Sequence, residues 1–205
     1  MSVIVERSGP LWRITLARPE KANALTGEML GAIAQAARAA QGQARAVVIT
    51  GQGKVFSAGA DLDEVAEGLA TDPAWQEASA AIADLPCLSI AALNGTVAGG
   101  ALGLALACDV RLAVPEAKAF YPVLARGLLP PHADPIRLLE LVGPSRASMI
   151  LSAGQKVSAT EALTWGLFDR IVPAEALLSE AEAFCADAVA ADPAHAAAIK
   201  AMIRE

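Results

Sequence analysis

The sequence predicts an α/β fold on three observations: short apolar strand patterns, segments of helical periodicity between them, and an alanine-rich helical tail. No low-complexity linker interrupts its 205 residues, a length that suits one core with a helical end.

Each element follows from local pattern. Val3 to Val5 forms a first strand, and Trp12, Ile14 and Leu16 alternate with Arg13 and Thr15 in a second, joined to it as a hairpin around Gly9-Pro10. Behind Thr26, a residue able to cap a helix, Leu30, Ile33, Ala34 and Ala37 recur at helical spacing. "AVVIT" at 46–50 is a compact strand closed by Gly51, and "LSIAAL" at 88–93 is another, with a mostly helical stretch between them. "VRLAV" at 110–114 adds a strand. Ser158 to Gly166 carries the S-x-x-E start and glycine stop of a helix. "LFDRIV" reads as an edge strand before Pro173, and the helical tail from Ala174 is expected to break near Asp192-Pro193.

A membrane span is the first rival to weigh, because no side chain from Leu85 to Cys108 is ionised and Gly95, Gly99 and Gly103 fall at the four-residue spacing of closely packed membrane helices. Pro86, Ser89, Asn94 and Thr96 interrupt the run, no basic cluster flanks it, and 88–93 has a buried-strand composition, so no membrane partner is expected. The net charge of −6 argues against a nucleic-acid surface, which needs a basic excess. Arg18, Lys21 and Lys54 supply local positive charge, and their simplest reading is solvated surface. Cys87, Cys108 and Cys185 form neither a close pair nor a metal spacing; as small core fillers they fit a reducing compartment. With no leader pattern in MSVIVERSGP, the expectation is a cytoplasmic protein without a metal.

Two loops stand out. In "GQGKVFSAGADLDEV", residues 51–65, small residues separate a strand from a helix, and the same holds for Asn94 to Gly100. Small residues let a ligand approach the backbone, and two such loops suggest two N–H donors converging on one oxygen. Tight packing would select the same residues.

Together with these loops, "RPEKANALT" at 18–26, "VFSAGADLDE" at 55–64, "NGTVAGGALGLALACD" at 94–109, "GLLP" at 127–130 and "LSAGQKVSATEALTWGLFDRIVP" at 151–173 resemble the crotonase superfamily, the enoyl-CoA hydratase/isomerase family. The resemblance covers most of the chain. It implies a spiral of repeated ββα units over residues 1–173 with a shortened helical region at 174–205, assembled as a homotrimer or dimer of trimers. It implies an acyl-CoA thioester as ligand, with coenzyme A as part of the substrate and no other cofactor, in fatty acid metabolism. The oxyanion donors fall on the N–H groups of Ala60 and Gly100, and the substrate-binding set on Ala24, Ala58, Ala60, Asp61, Leu62, Gly99, Gly100, Gly103 and Val123.

The two hydratase glutamates of the family fall on Gly103 and Val123, neither of which moves a proton. Ordinary hydration is therefore not expected, and lyase or isomerase chemistry without the glutamate pair takes its place: isomerisation, decarboxylation or thioester hydrolysis. Replacement acids or bases would come from Tyr121, His132 or Asp134, with Asp134 either orienting His132 or acting itself. Against this stands a stiff polar loop with Tyr121 in the core. Arg126 and Arg137 read as surface or ion-pair groups, and His195 as exposed. The alternative function is acyl-CoA binding without turnover. Ending at Glu205, short of the further helices usual in the family, the chain is expected to have a more open pocket.

Overall fold

The computed structural model describes residues 2–204. Strands β1 (Val3–Ser8) and β2 (Leu11–Leu16) form the antiparallel hairpin, and α1 (Gly27–Ala40) follows. Thr26 caps α1 by accepting from the Met29 N–H at 3.2 Å, and the expected face of Leu30, Ile33, Ala34 and Ala37 is buried. Then come β3 (Ala46–Gly51), β4 (Val55–Ser57), α2 (Leu62–Ala66), α3 (Ala74–Ala83), β5 (Leu88–Leu93), β6 (Thr96–Ala98) and α4 (Gly100–Leu106). The chain continues through β7 (Val110–Ala113), β8 (Lys118–Phe120), α5 (Ala133–Leu151), β9 (Val157–Ser158), α6 (Ala159–Trp165) and β10 (Arg170–Ile171), and ends with α7 (Leu177–Phe184), α8 (Ala186–Ala190) and α9 (Pro193–Arg204).

One sheet runs β1-β2-β3-β5-β7-β10 and a second β4-β6-β8-β9. Three times in succession the chain passes from a strand of the first sheet (β3, β5, β7) to a strand of the second (β4, β6, β8) and then into a helix. Each passage lays its strands parallel to the previous pair. That is a spiral of ββα units. Helices cover the central strands, so β3 and β5 are apolar on both faces and almost wholly buried, as parallel strands are.

The hairpin, the capped α1, the capping box of Ser158 and Glu161, the edge position of β10 and the helix break before Pro193 all stand where the sequence pattern places them. The second sheet was not anticipated. Its strands are two or three residues long, too short for an alternation to register. "LFDRIV" supplies only two paired residues, and α5 is broken at Gly143, where φ is 77°.

The uncharged stretch from Leu85 to Cys108 folds as β5, β6 and α4. Among the described residues no helix is long and apolar enough to cross a membrane. The three cysteines are buried and free, as expected of core fillers. Residues 174–204 lie against the core: Arg45 donates to the Val189 and Ala191 carbonyls, and Lys200 Nζ donates to Cys87 O and Asp109 Oδ2, each at 2.6 Å.

Candidate active site

The site lies where the β4–α2 and β6–α4 connections meet. Gly59 has φ 94° and Gly99 has φ 54°, both in the region that disfavours side chains. A Cβ built on Gly59 would sit 2.9 Å from Ala98 O, and one on Gly99 would touch Gly59 Cα at 3.7 Å. The two backbones are in contact, and Ala60 and Gly100, the residues that follow, line one cavity.

Among the described residues the N–H groups of these two have no acceptor. Ala60 bridges Leu25, but the bonds are made by its neighbours: Leu25 N–H donates to Gly59 O at 2.7 Å and Asp61 N–H to Leu25 O at 2.9 Å. The Ala60 N–H therefore faces away from Leu25. Gly100 opens α4, where first-turn N–H groups have no intrahelical acceptor.

Residues that sequence reasoning left inside motifs without a role prove to hold these loops. Asn23, fully buried with φ 52°, accepts from the Arg18 N–H and donates through Nδ2 to Gln52 O and Val55 O. Asparagine tolerates this left-handed backbone. Ser57 Oγ donates to Asn23 O at 2.7 Å and accepts from the Gly59 N–H at 3.2 Å. Asn94 repeats the device in the next unit, accepting from Gly51 N–H and donating to Gly53 O and Val55 O. Arg18 is half-buried, not solvated: it pairs with Asp61 and donates to Ala24 O, holding the Asp61 carboxyl below its usual range.

A cavity of about 470 Å³ opens at this junction. Of the sequence-predicted residues, Ala24, Ala58, Ala60, Asp61, Leu62, Gly99, Gly100, Tyr121 and Val123 line it. Lys21 and Arg126 also line it, and so does Trp75, unremarked in the sequence, whose ring fills the space a side chain at Gly100 would need. Gly103, His132 and Asp134 are not part of the lining. His132 is exposed before α5, and no hydrogen bond joins it to Asp134 among the described residues.

Tyr121 and Asp134 are brought together instead. Both are 2% exposed, and the Tyr121 hydroxyl donates to Asp134 Oδ2 at 2.7 Å. Asp134 Oδ1 is buried with no hydrogen-bond partner among the described residues. Burial raises the Asp134 carboxyl to about 6, against the opposing effects of the Tyr121 hydrogen bond and the Arg137 charge. Burial, and then the Asp134 charge, raises the Tyr121 phenol as well. Tyr121 belongs to the core, as one reading of it expects, and also borders the cavity.

A ββα spiral with paired glycine loops at one cavity is the architecture of the crotonase superfamily. The family model described as enoyl-CoA hydratase/isomerase matches residues 6–205, and the chain belongs to that family. It is 35% identical to the carnitinyl-CoA dehydratase of Salmonella typhi over 210 aligned positions, covering 99% of this chain and 80% of the relative. Among solved structures, DspI of Pseudomonas aeruginosa superposes with a TM-score of 0.91 at 33% identity, over 99% of this chain and 86% of that one. A Thermobifida fusca protein, described as an enoyl-CoA hydratase and solved in complex with acetoacetyl-CoA, gives 0.91 at 32% identity, over 98% and 86%.

Proposed function

We propose that this protein is an acyl-CoA enzyme that stabilises a thioester enolate between the N–H groups of Ala60 and Gly100 and shifts a proton on the acyl chain, an isomerase-type reaction. The observation that carries this reading is the contact of Gly59 with Gly99 beside one cavity that Ala60 and Gly100 both line, with no acceptor for either N–H group among the described residues. Donors fixed where the enolate charge develops contribute roughly 3 kcal/mol each to the barrier. The similarity to a protein solved with acetoacetyl-CoA supports the ligand class. The substrate itself carries the coenzyme A, and an assembly of three or six copies is the form the family resemblance favours.

Isomerisation is preferred to hydration because Gly103 and Val123 offer no group to activate water, whereas Tyr121 and Asp134 form a buried pair with an exchangeable proton at the cavity wall. Decarboxylation and thioester hydrolysis use the same oxyanion donors and remain the neighbouring reactions to assay. A second reading, acyl-CoA binding without turnover, draws on the same apolar residues at 103 and 123.

The deciding experiment follows α-proton exchange of a saturated acyl-CoA in deuterated water, beside thermal melts with acyl-CoAs of several chain lengths. A raised Tm with exchange supports the enzyme, since a ligand selective for the native state stabilises it. A raised Tm without exchange, decarboxylation or hydrolysis supports the binding module. No shift at any chain length would overturn both. Crotonyl-CoA hydration should be far below that of a two-glutamate relative.

A further inference from the structure

We infer that Asp134 is the positioning residue of this site: seated where a side chain at Gly103 would lie, its carboxylate acts on the acyl group only through the Tyr121 hydroxyl. The inference rests on the enolate reading above and specifies how the proton is moved.

Three features of the structure carry it. A Cβ built on Gly103 would fall on the Asp134 carboxyl group, with all three of its nearest neighbours drawn from that one group. A side chain at 103 and a carboxylate at 134 therefore exclude each other, and the carboxylate reaches α4 from the start of α5. Next, Asp134 does not line the cavity and Tyr121 does, so any exchange of a proton between Asp134 and a ligand must pass through the phenol. Finally, Asp134 Oδ1 is a buried oxygen with no hydrogen-bond partner among the described residues. An oxygen left so is costly in a purely structural carboxylate, and it leaves the carboxylate less stabilised as an anion and more basic.

The step balances with these two residues alone. The Tyr121 oxygen takes the α-proton of the thioester as the phenolic proton passes to Asp134 Oδ2. The C–H electron pair enters the enolate, whose oxygen accepts from Ala60 and Gly100. Reversal returns a proton to the α-carbon or, for an unsaturated chain, to the γ-carbon. The charge begins on Asp134 and ends on the enolate, so the carboxylate form is the active one. The charged and titratable groups facing Asp134 are Tyr121, from the segment after β8, and Arg137, on α5 itself; α4, GALGLAL, brings none. Arg137 is held by its bond to Ser79 Oγ on α3. Exchange should therefore rise with pH through about 6, where burial places the Asp134 carboxyl.

Tyr121 is the sole tyrosine, so a protein carrying 13C at tyrosine Cζ reports on it directly. The resonance is followed from pH 4.5 to 8 in the wild type and in Asp134→Asn, which keeps the side-chain volume, alongside α-proton exchange over the same range. The expected result is one step near pH 6 in the Tyr121 signal, absent from Asp134→Asn, with exchange rising through the same step and falling by roughly 10²-fold or more in both Asp134→Asn and Tyr121→Phe. Wild-type exchange without a step in the Tyr121 signal, or unimpaired exchange in Asp134→Asn, would overturn the relay alone and leave the enolate reading standing. A Tyr121 step with no exchange in the wild type would overturn the enolate reading, and the relay with it.

Discussion

The two walls of the cavity are built on opposite plans. At the junction of residues 58–60 with 99–100 the wall is backbone, and side chains are excluded: Gly59 and Gly99 touch, and Trp75 fills the space beside Gly100. At Tyr121 the wall is a side chain backed by the Asp134 carboxyl group, and here the glycine, Gly103, serves to leave that group room. The difference teaches that a small residue has two distinct uses in one site. It can bring main chain to a ligand, or it can yield its volume to a residue distant in sequence. The first wall should be intolerant of any added carbon, while the second should respond to charge and to paired exchanges.

The largest effect is expected from Gly59→Val, which forces a branched side chain onto a backbone of positive φ and into Ala98 O. Displacing one oxyanion donor costs about 10²- to 10³-fold and both donors more, so α-proton exchange should fall by ~10³-fold or beyond. Retained exchange would show that the backbone wall is not the oxyanion site.

Next comes Tyr121→Phe. With the hydroxyl gone, the Asp134 carboxyl group loses the hydrogen bond from Tyr121 and rises further, while exchange drops by roughly 10²- to 10⁴-fold at unchanged acyl-CoA affinity. Kinetics and calorimetric binding on the same samples separate the two quantities.

Asp134→Asn tests the electrostatics of the side-chain wall through stability. The folded carboxyl is raised from 3.8 to about 6, so the folded state binds the proton more tightly than the unfolded chain. Its contribution is fully present below about pH 4 and is lost as pH rises through 6. Two pKa units correspond to on the order of 3 kcal/mol, or roughly 6–12 °C in Tm for a chain of this size. The gap in Tm between Asp134→Asn and the wild type should move in favour of the variant by that much between pH 4 and 7.5. A constant gap would contradict the raised carboxyl.

Gly103→Ala should cost about 1–3 kcal/mol through overpacking against Asp134, and Gly103→Ala combined with Asp134→Gly should recover most of it. Additive losses in the double variant would mean that the two positions do not share space. The smallest effect belongs to His132→Ala: an exposed residue outside the cavity lining should leave exchange and Tm unchanged within error.

The legibility of the molecule follows the same division. The hairpin, α1 and the buried strands β3 and β5 were readable because periodicity and caps act over a few neighbouring residues. The short strands of the second sheet were not, because each owes its conformation to the strand of the preceding unit and not to its own pattern. At the site, the loops at 51–65 and 94–100 could be singled out from small residues following strands, and the family resemblance pointed within them to Ala60 and Gly100. Asn23 and Ser57 could have been noticed as polar residues within an apolar setting, yet the carbonyls their side chains donate to lie 29 to 34 positions away, among them Gln52 and Val55 for Asn23.

What the sequence determined by itself was the family and the absence of a proton-transfer group at positions 103 and 123, since each depends on residue identity at fixed spacing. Which of the three polar candidates are brought together was decided only by tertiary structure. His132 and Asp134 are two residues apart and equally polar on paper. The turn into α5 leaves one in solvent and carries the other under the cavity wall, onto Gly103 and against the Tyr121 hydroxyl. Burial is a property of the packed chain, and burial is what raises an ordinary aspartate carboxyl to about 6.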